Sequence, residues 1–501
     1  RDYIRAGGYR HEALELARTI GDPPLIAHSL NRVGNWYVNR EAPQAGIPHH
    51  DEALAIFERT NDARGVAETV DLLAMAHHIA GTQDAAVPLY ERSVVLFSAL
   101  EDRRGLANAL SVLAGCGPSY HASAGPVVAS IHTPDLLANE RPVRLSTEIG
   151  WRAGEAFSRW VLADALAWRG ECDRALRIAR ESLAIATELE HLEWQCGARR
   201  VLGTIALDLC APMEALSHLT PAHDLARRLA SAIWTRWTAA PLAIALLRAG
   251  DAARATAVLD EVDGILSESA VSPSPKGLRR TLGERYLALA RAEIALAAGN
   301  PTGVLAAIDP RDVPGTPRAA LLQAQALAAQ ERWEEASTAL HAARADAQRQ
   351  HARPLLWRID AALGAMHLKA RRRLEARRAF DAARSVAAEL VSGLAEPGLA
   401  AAFRAGIDEL APPPSERTAN QAAKAVYGGL TQRERDTAAL IAQGKSNRAI
   451  ARTLGIGERT VEGYVAAALS KLSFSSRAQI AVWATEHGLG KGQPTTGHSR
   501  R

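Results

Sequence analysis

From the first residue to about Leu410 the chain is dominated by Ala, Leu and Arg, with apolar positions at helical spacing, so each predicted helix carries one apolar face. The pattern repeats. Glu12-Ala13-Leu14-Glu15-Leu16-Ala17, followed by Gly21-Asp22, has a second copy in Glu52-Ala53-Leu54-Ala55-Ile56-Phe57 with Asn61-Asp62. A third copy is Arg92-Ser93-Val94-Val95-Leu96-Phe97 with Glu101-Asp102, and the copies stand 40 residues apart. A second series keeps about the same step: Gly170 to Ala175, Cys210 to Ala215, Gly250 to Ala255 and, after one skipped copy, Glu331 to Ala336 and Arg371 to Ala376. Each marks the turn between two helices of a hairpin, followed by a small residue where the helices pack. Such a repeat predicts an α-solenoid, which buries its core between neighbouring hairpins and leaves a concave face for a partner.

Loop formers divide the array into repeats over 1–116 and 151–410, with a loop-rich interruption over 117–150 that runs from Cys116-Gly117-Pro118-Ser119 through Gly125-Pro126 to Pro134. Ser272-Pro273-Ser274-Pro275 and the stretch from Asn300-Pro301 to Pro317 read as loops between repeats. Ala411-Pro412-Pro413-Pro414-Ser415 then ends the solenoid and opens a linker over 411–429, extended and semi-rigid because of its prolines. The tail over 490–501 reads as disordered.

Between them, residues 430–489 carry four shorter amphipathic segments. Thr431-Gln432-Arg433-Glu434 is a capping box opening a helix that Gly444 can close, with Leu440 and Ile441 buried. Two further helices meet at a tight corner, where Ala451 allows close approach, Gly455 tolerates positive φ and Val461 seats the second helix. Ile450, Leu454 and Ile456 complete the inward face, and Val461, Val465, Leu469 and Leu472 form an apolar stripe. A second box, Ser476-Arg477-Ala478-Gln479, opens a last helix that turns Ile480, Ala481 and Ala484 inward and ends near His487-Gly488. The expected fold is all-α: a solenoid of helical hairpins, then a four-helix helix-turn-helix domain.

The net charge of +4 says little, but in the last domain Arg433, Arg435, Lys445, Arg448, Arg452, Arg459, Lys471 and Arg477 outnumber Glu434, Asp436, Glu458, Glu462 and Glu486. Cys116, Cys172, Cys196 and Cys210 lie far apart in mostly helical segments, which fits neither a zinc ribbon nor a disulfide framework and fits a reduced cytoplasm. No apolar run approaches membrane-spanning length, and Arg1-Asp2-Tyr3-Ile4-Arg5 lacks a signal-peptide core. The chain starts without Met, in what reads as the middle of a repeat.

Catalytic chemistry finds no foothold. Gly444-Lys445-Ser446 resembles the end of a phosphate-binding loop, but Ala439 stands where that loop needs Gly. His49-His50 and His77-His78 are adjacent pairs, which on a helix point about 100° apart, so they read as packing or solvated histidines and not as metal ligands. Arg371-Arg372-Arg373 and Arg377-Arg378 read as a solvated face, and the tryptophans from Trp36 to Trp357 as core. No nucleophilic triad can be argued from spacing, so no enzyme activity, metal or cofactor is expected.

As LTQRER, GKSNRAIARTLGI, TVEGYV, SKL and FSSRAQIAVWATEHGL, the stretch from Leu430 to Leu489 resembles the LuxR/GerE-type DNA-binding domain. The 40-residue hairpins are similar to tetratricopeptide-type repeats in a longer variant. The first resemblance implies that Thr431, Ser446, Asn447, Arg448 and Thr460 face phosphates, and that Glu462, Gly463 and Ala466 face the groove. Lys445, Glu458, Arg459 and Lys471 complete the candidate DNA-binding set. Arg448 and Lys445 would position the domain on the duplex, Glu462 would accept from a cytosine amino group, and Arg459 would reach a guanine. The sequence departs from the family at Glu462, Tyr464, Ala467 and Gly457, where Lys, His, Asn and Ser are frequent.

The implied protein is a cytoplasmic transcription regulator that binds double-stranded DNA as a homodimer paired through its last helix, with Ile480 and Trp483 as candidates. A protein partner or effector would bind the repeats, RNA polymerase is a further candidate partner, and no membrane is involved. Large regulators of this layout often carry an ATP-hydrolysing domain ahead of the repeats, which is not in this sequence. Two rival readings are a sigma-factor-like region and an interaction scaffold whose last domain no longer reads DNA.

Overall fold

The computed structural model describes residues 3–117, 136–268, 280–412, 424 and 426–489. Among these the regular elements are helical, and the chain divides into two compact units, Arg1–Pro412 and Pro413–Arg501.

The first unit is a stack of hairpins with a 20-residue metre. Helices Pro23–Asn39, Pro43–Arg59, Ala63–Ile79 and Gln83–Ala99 each span 17 residues, so three residues remain for each connection. The metre returns in Arg152–Trp168, Cys172–Glu188, Leu192–Asp208, Pro212–Arg228 and Ala232–Arg248. Every 20 residues the middle residue of the connection enters the left-handed region, as at Glu41 (φ 60°), Asn61 (φ 54°) and Gly81 (φ 73°), and again at Gly170, Glu190, Cys210, Ala230 and Gly250. The next amide then reaches back to a carbonyl five residues earlier, as in Ala42 N to Tyr37 O (3.0 Å) and Asp62 N to Phe57 O (3.0 Å). This is the Schellman closure, which satisfies the last carbonyls of the helix and reverses the chain in minimal length.

Packing follows the same metre. Ala175, Ala215, Ala255 and Ala336, the small residues after the turns, are fully buried. A Cβ on Gly65 would lie 2.3 Å from Phe57 Cδ1, and one on Gly105 would lie 2.4 Å from Phe97 Cδ1, so the same close helix crossing recurs 40 residues on. Of the tryptophans in the repeats, Trp36, Trp160, Trp168, Trp234, Trp237 and Trp357 are buried.

In the middle of the array the inner helices are covered. Helices Arg152–Trp168, Leu192–Asp208 and Ala232–Arg248 are buried on nearly every side. Distant repeats close over one another through polar anchors. Arg236 pairs with Glu41, whose other carboxylate oxygen accepts from Thr281 Oγ1 at 3.2 Å. Arg285 donates to the Gly81 carbonyl (3.2 Å), Arg358 to that of Asp208 (2.9 Å), and Trp168 Nε1 to that of Gln350 (3.1 Å). A single-repeat reading cannot anticipate contacts between residues 150 to 240 positions apart.

The interruption over 117–150 is itself partly regular. Helix Leu136–Glu148 fills its end, with Val143 and Leu145 packed against buried clusters and Ser146 fully buried. Its polar composition and the internal Pro142, which removes a backbone donor, hide it from a periodicity search. Residues 118–135 and the Ser272–Pro275 loop lie outside the described residues, as do 413–423 of the linker and 490–501 of the tail. The stretch from Asn300 to Pro317 contains helix Pro301–Ala307 and a short 3-10 turn at Pro310–Asp312.

The second unit holds an opening helix Gln432–Ala442, a corner helix Asn447–Leu454, a recognition helix Glu458–Lys471 and a closing helix Arg477–Glu486. Leu430, Ala438, Leu440, Ile441, Ile450, Ala451, Val461, Ala468, Ile480 and Ala484 are its buried core.

Candidate nucleic-acid interface

The corner is built from the residues that the turn chemistry demands. Ser446 caps the corner helix, its Oγ accepting from Ala449 N at 3.3 Å. Gly455 ends that helix at φ 66°, ψ 35°, and Ile456 N returns to Ala451 O at 3.0 Å. Val461 is fully buried, with Val465, Leu469 and Leu472 packed beside it, so the stripe of the recognition helix faces the core. Gly457 stands at the cap of the recognition helix and offers no side-chain oxygen. The positive end of that helix is therefore met only by exposed Glu458 in its first turn.

Four polar clusters fix the scaffold. Both capping boxes form: Thr431 N donates to Glu434 Oε2 at 2.7 Å, and Ser476 N to Gln479 Oε1 at 2.9 Å. Lys471 Nζ reaches Glu434 at 2.6 Å. Arg435 is buried, donating to the Leu430 carbonyl at 3.0 Å beneath the Tyr427 ring, which meets Trp483 edge-on at 6.4 Å. Arg477 donates to Asn447 Oδ1 and to the Lys445 carbonyl, each at 2.6 Å.

The expected set therefore divides. Ser446, Arg448, Glu458, Arg459, Thr460, Glu462, Gly463 and Ala466 are exposed, while Thr431, Lys445 and Asn447 are half-buried. Arg433, Lys445, Arg448, Arg452 and Arg459 form no ion pair among the described residues, so their charge is available to a polyanion. Lys471 is held by Glu434 instead. Ile480, read both as inward-facing and as a dimer candidate, is fully buried in the core on the inward stripe of the closing helix. Val482 is an exposed large apolar residue of that helix, with 59% of its surface accessible.

Sequence reasoning missed the roles of Arg435 and Arg477, whose signal was only their charge. It also missed the turn at Tyr427–Gly429, where Gly428 has φ 58° and a Cβ would lie 2.5 Å from Leu472 Cδ2. The consecutive glycines were the available clue.

Cys116 Sγ lies 3.2 Å from His78 Nδ1 in the buried core of the repeats. Among the described residues no group of His, Cys, Asp and Glu is placed to hold a metal, and no helix is long and apolar enough to cross a membrane. His50 and His78 are buried beside Asn31 and Gln83, and burial pushes both imidazoles down to about 4. Burial likewise pushes the Cys172 and Cys196 thiols up to about 12, which leaves them unreactive.

Comparison with known proteins assigns this domain. Residues 429–484 match the family described as bacterial regulatory proteins, luxR family. The uncharacterized transcriptional regulatory protein YhcZ of Bacillus subtilis (strain 168) is 44% identical over 66 residues, 13% of this chain and 31% of that protein. The nitrate/nitrite response regulator protein NarL of Escherichia coli (strain K12) is 46% identical over 69 residues, 14% of this chain and 28% of that protein. The chain thus spans under a third of the length of the curated relatives it matches. The crystal structure of Rap protein complexed with competence and sporulation factor superposes with a TM-score of 0.32 at 11% identity, covering 78% of this chain and 87% of that one, too loosely to bear on function. The four helices, the glycine corner and these matches agree: residues 429–484 are a LuxR-family helix-turn-helix domain.

Proposed function

We propose that this protein is a cytoplasmic transcription regulator whose C-terminal domain binds double-stranded DNA, with the recognition helix in the major groove. The observation that carries this reading is the set of cations around the corner, Lys445, Arg448, Arg452 and Arg459, which form no ion pair among the described residues. Thr431, Ser446, Asn447, Arg448 and Thr460 would meet phosphates, and Arg459, Glu462, Gly463 and Ala466 would meet base edges. Lys471 serves the scaffold in this reading, since Glu434 holds it.

One short recognition helix reads few bases, so the domain acts as a homodimer, and exposed Val482 is the apolar group its closing helix offers. The repeats would take a protein partner or effector, and RNA polymerase would be contacted at the promoter. Because the inner helices of the middle repeats are covered, that partner would meet outer surfaces or the ends of the array.

Exposed Glu458 and Glu462 on the groove-facing side favour a second reading, a repeat-based scaffold whose last domain no longer reads DNA. A mobility-shift titration of the whole chain on random duplexes at two salt concentrations separates the two. Binding that weakens steeply with salt supports the regulator. No shift at either concentration supports the scaffold.

A further inference from the structure

Arg477 of the closing helix joins two points on either side of the corner-helix cap. Its Nη1 donates to Asn447 Oδ1 and its Nη2 to the Lys445 carbonyl, each at 2.6 Å, while Ser446 between them caps the helix. A guanidinium has donors only, so it can be met only by the oxygen of an amide. The Asn447 Nδ2 hydrogens are therefore turned away from Arg477. Without that contact the amide could rotate and present either its oxygen or its nitrogen to an approaching phosphate, and the oxygen would be repelled. Both side chains are half-buried, and next to them Arg448 is exposed.

We propose that Arg477 is a positioning residue for the DNA backbone. It holds the start of the corner helix in register and fixes the Asn447 amide so that its hydrogens, beside the Arg448 charge, face a phosphate oxygen. This rests on the DNA-binding reading above. The gain is preorganisation: the amide is already set before the duplex arrives, so less ordering has to accompany binding. The closing helix, whose inward stripe supplies Ile480 and Ala484 to the core, carries Arg477 on that same side at its first turn.

The test uses the whole chain and a duplex of fixed sequence, with Arg477→Ala, Asn447→Ala and the double variant compared in affinity and in salt dependence. Each single change should weaken binding about tenfold, and the double change should weaken it by much less than the product of the two, because the variants share the Arg477–Asn447 contact and differ only in the Lys445 carbonyl. The salt slope should stay within a fraction of a unit in all three, since no cation leaves a phosphate. Arg477→Lys, which keeps the charge but lacks the planar fork that spans two separated acceptors, should recover part of the affinity. Asn447→Asp keeps an acceptor for Arg477 and should stay as well folded as wild type by hydrogen exchange over 430–489 while losing DNA affinity. Losses that add in the double variant overturn the positioning role, and so does a slope flattened by about one unit in Arg477→Ala, which would mean that Arg477 meets the phosphate itself. A wild-type chain that binds no duplex instead overturns the DNA-binding reading and this proposal with it.

Discussion

Lys471 Nζ lies 2.6 Å from both carboxylate oxygens of Glu434, which ties the end of the recognition helix to the start of the opening helix. The same carboxylate accepts from Thr431 N, so one buried side chain closes a helix cap and an ion pair together. Burial pushes the Glu434 carboxyl up, but hydrogen bonds from Lys471 and Thr431, with the Lys471 charge, leave it below its usual value. Its folded pKa lies below the unfolded one, so the stability it adds is present above the ordinary carboxylate range and is lost as pH falls through the folded value. Lys471→Met should therefore destabilise the domain by about 1–3 kcal/mol, because it strands a buried carboxylate. Hydrogen exchange over 430–489 measures the loss, and the slope of DNA affinity against salt should not change. A slope flattened by about one unit would return Lys471 to the phosphate-contacting set.

The closing helix offers a second contrast. Ile480→Glu places a charge in the core and should abolish protection throughout 430–489. Val482→Glu alters an exposed side chain and should leave protection intact. If the domain pairs on DNA through this helix, Val482→Glu lowers affinity for a duplex with two half-sites at least tenfold more than for one half-site, a ratio read from paired titrations. Equal losses on both duplexes would place the dimer contact elsewhere.

Legibility followed the range of each interaction. Thr431, Ser476, Gly455 and Val461 act through partners a few residues away or through one turn, and local chemistry was enough to place them. The solenoid turns were visible where Gly occupied the left-handed position, as at Gly170 and Gly250, and nearly silent at Glu190, Ala230 and His351, where the backbone adopts the same conformation without its usual residue. Ile480 reads both as inward-facing and as a dimer candidate, because its stripe looks equally apolar whether it faces the core or a second copy. Glu41 with Arg236, Arg358 with the Asp208 carbonyl and Arg477 with Asn447 depend on how distant segments meet, and no spacing rule encodes that.

Two acids, buried Glu41 and half-buried Asp71, give the repeats an unusual response to pH. Burial pushes the Asp71 carboxyl up to about 7 against hydrogen bonds from Asn108 and Ser93, and Glu41 to about 7 against the pull of Arg236. A carboxyl with a raised folded pKa binds its proton more tightly folded than unfolded, so stability falls as pH rises from the ordinary carboxylate range to about 7. His50 and His78, lowered to about 4, act oppositely and cost stability as pH falls below about 6.5. Asp71→Asn isolates the acid term, since an amide keeps an oxygen for Asn108 and carries no charge. Thermal melting should show Tm raised by about 2–6 °C at pH 8 and by roughly a third as much at pH 5. A variant less stable than wild type at pH 8 would contradict the buried-carboxylate account.

The central claim is that the domain meets the DNA backbone through cations around its corner, with Arg448 at the start of the corner helix foremost. The direct measurement is affinity of the whole chain for one duplex across a series of salt concentrations, for wild type and Arg448→Ala. Wild type should show a steep linear fall of log affinity with log salt. Arg448→Ala should bind every duplex sequence more weakly by a similar factor, with the slope flattened by about one unit. An unchanged slope together with an altered sequence preference would contradict the account, because Arg448 would then read bases and not the backbone.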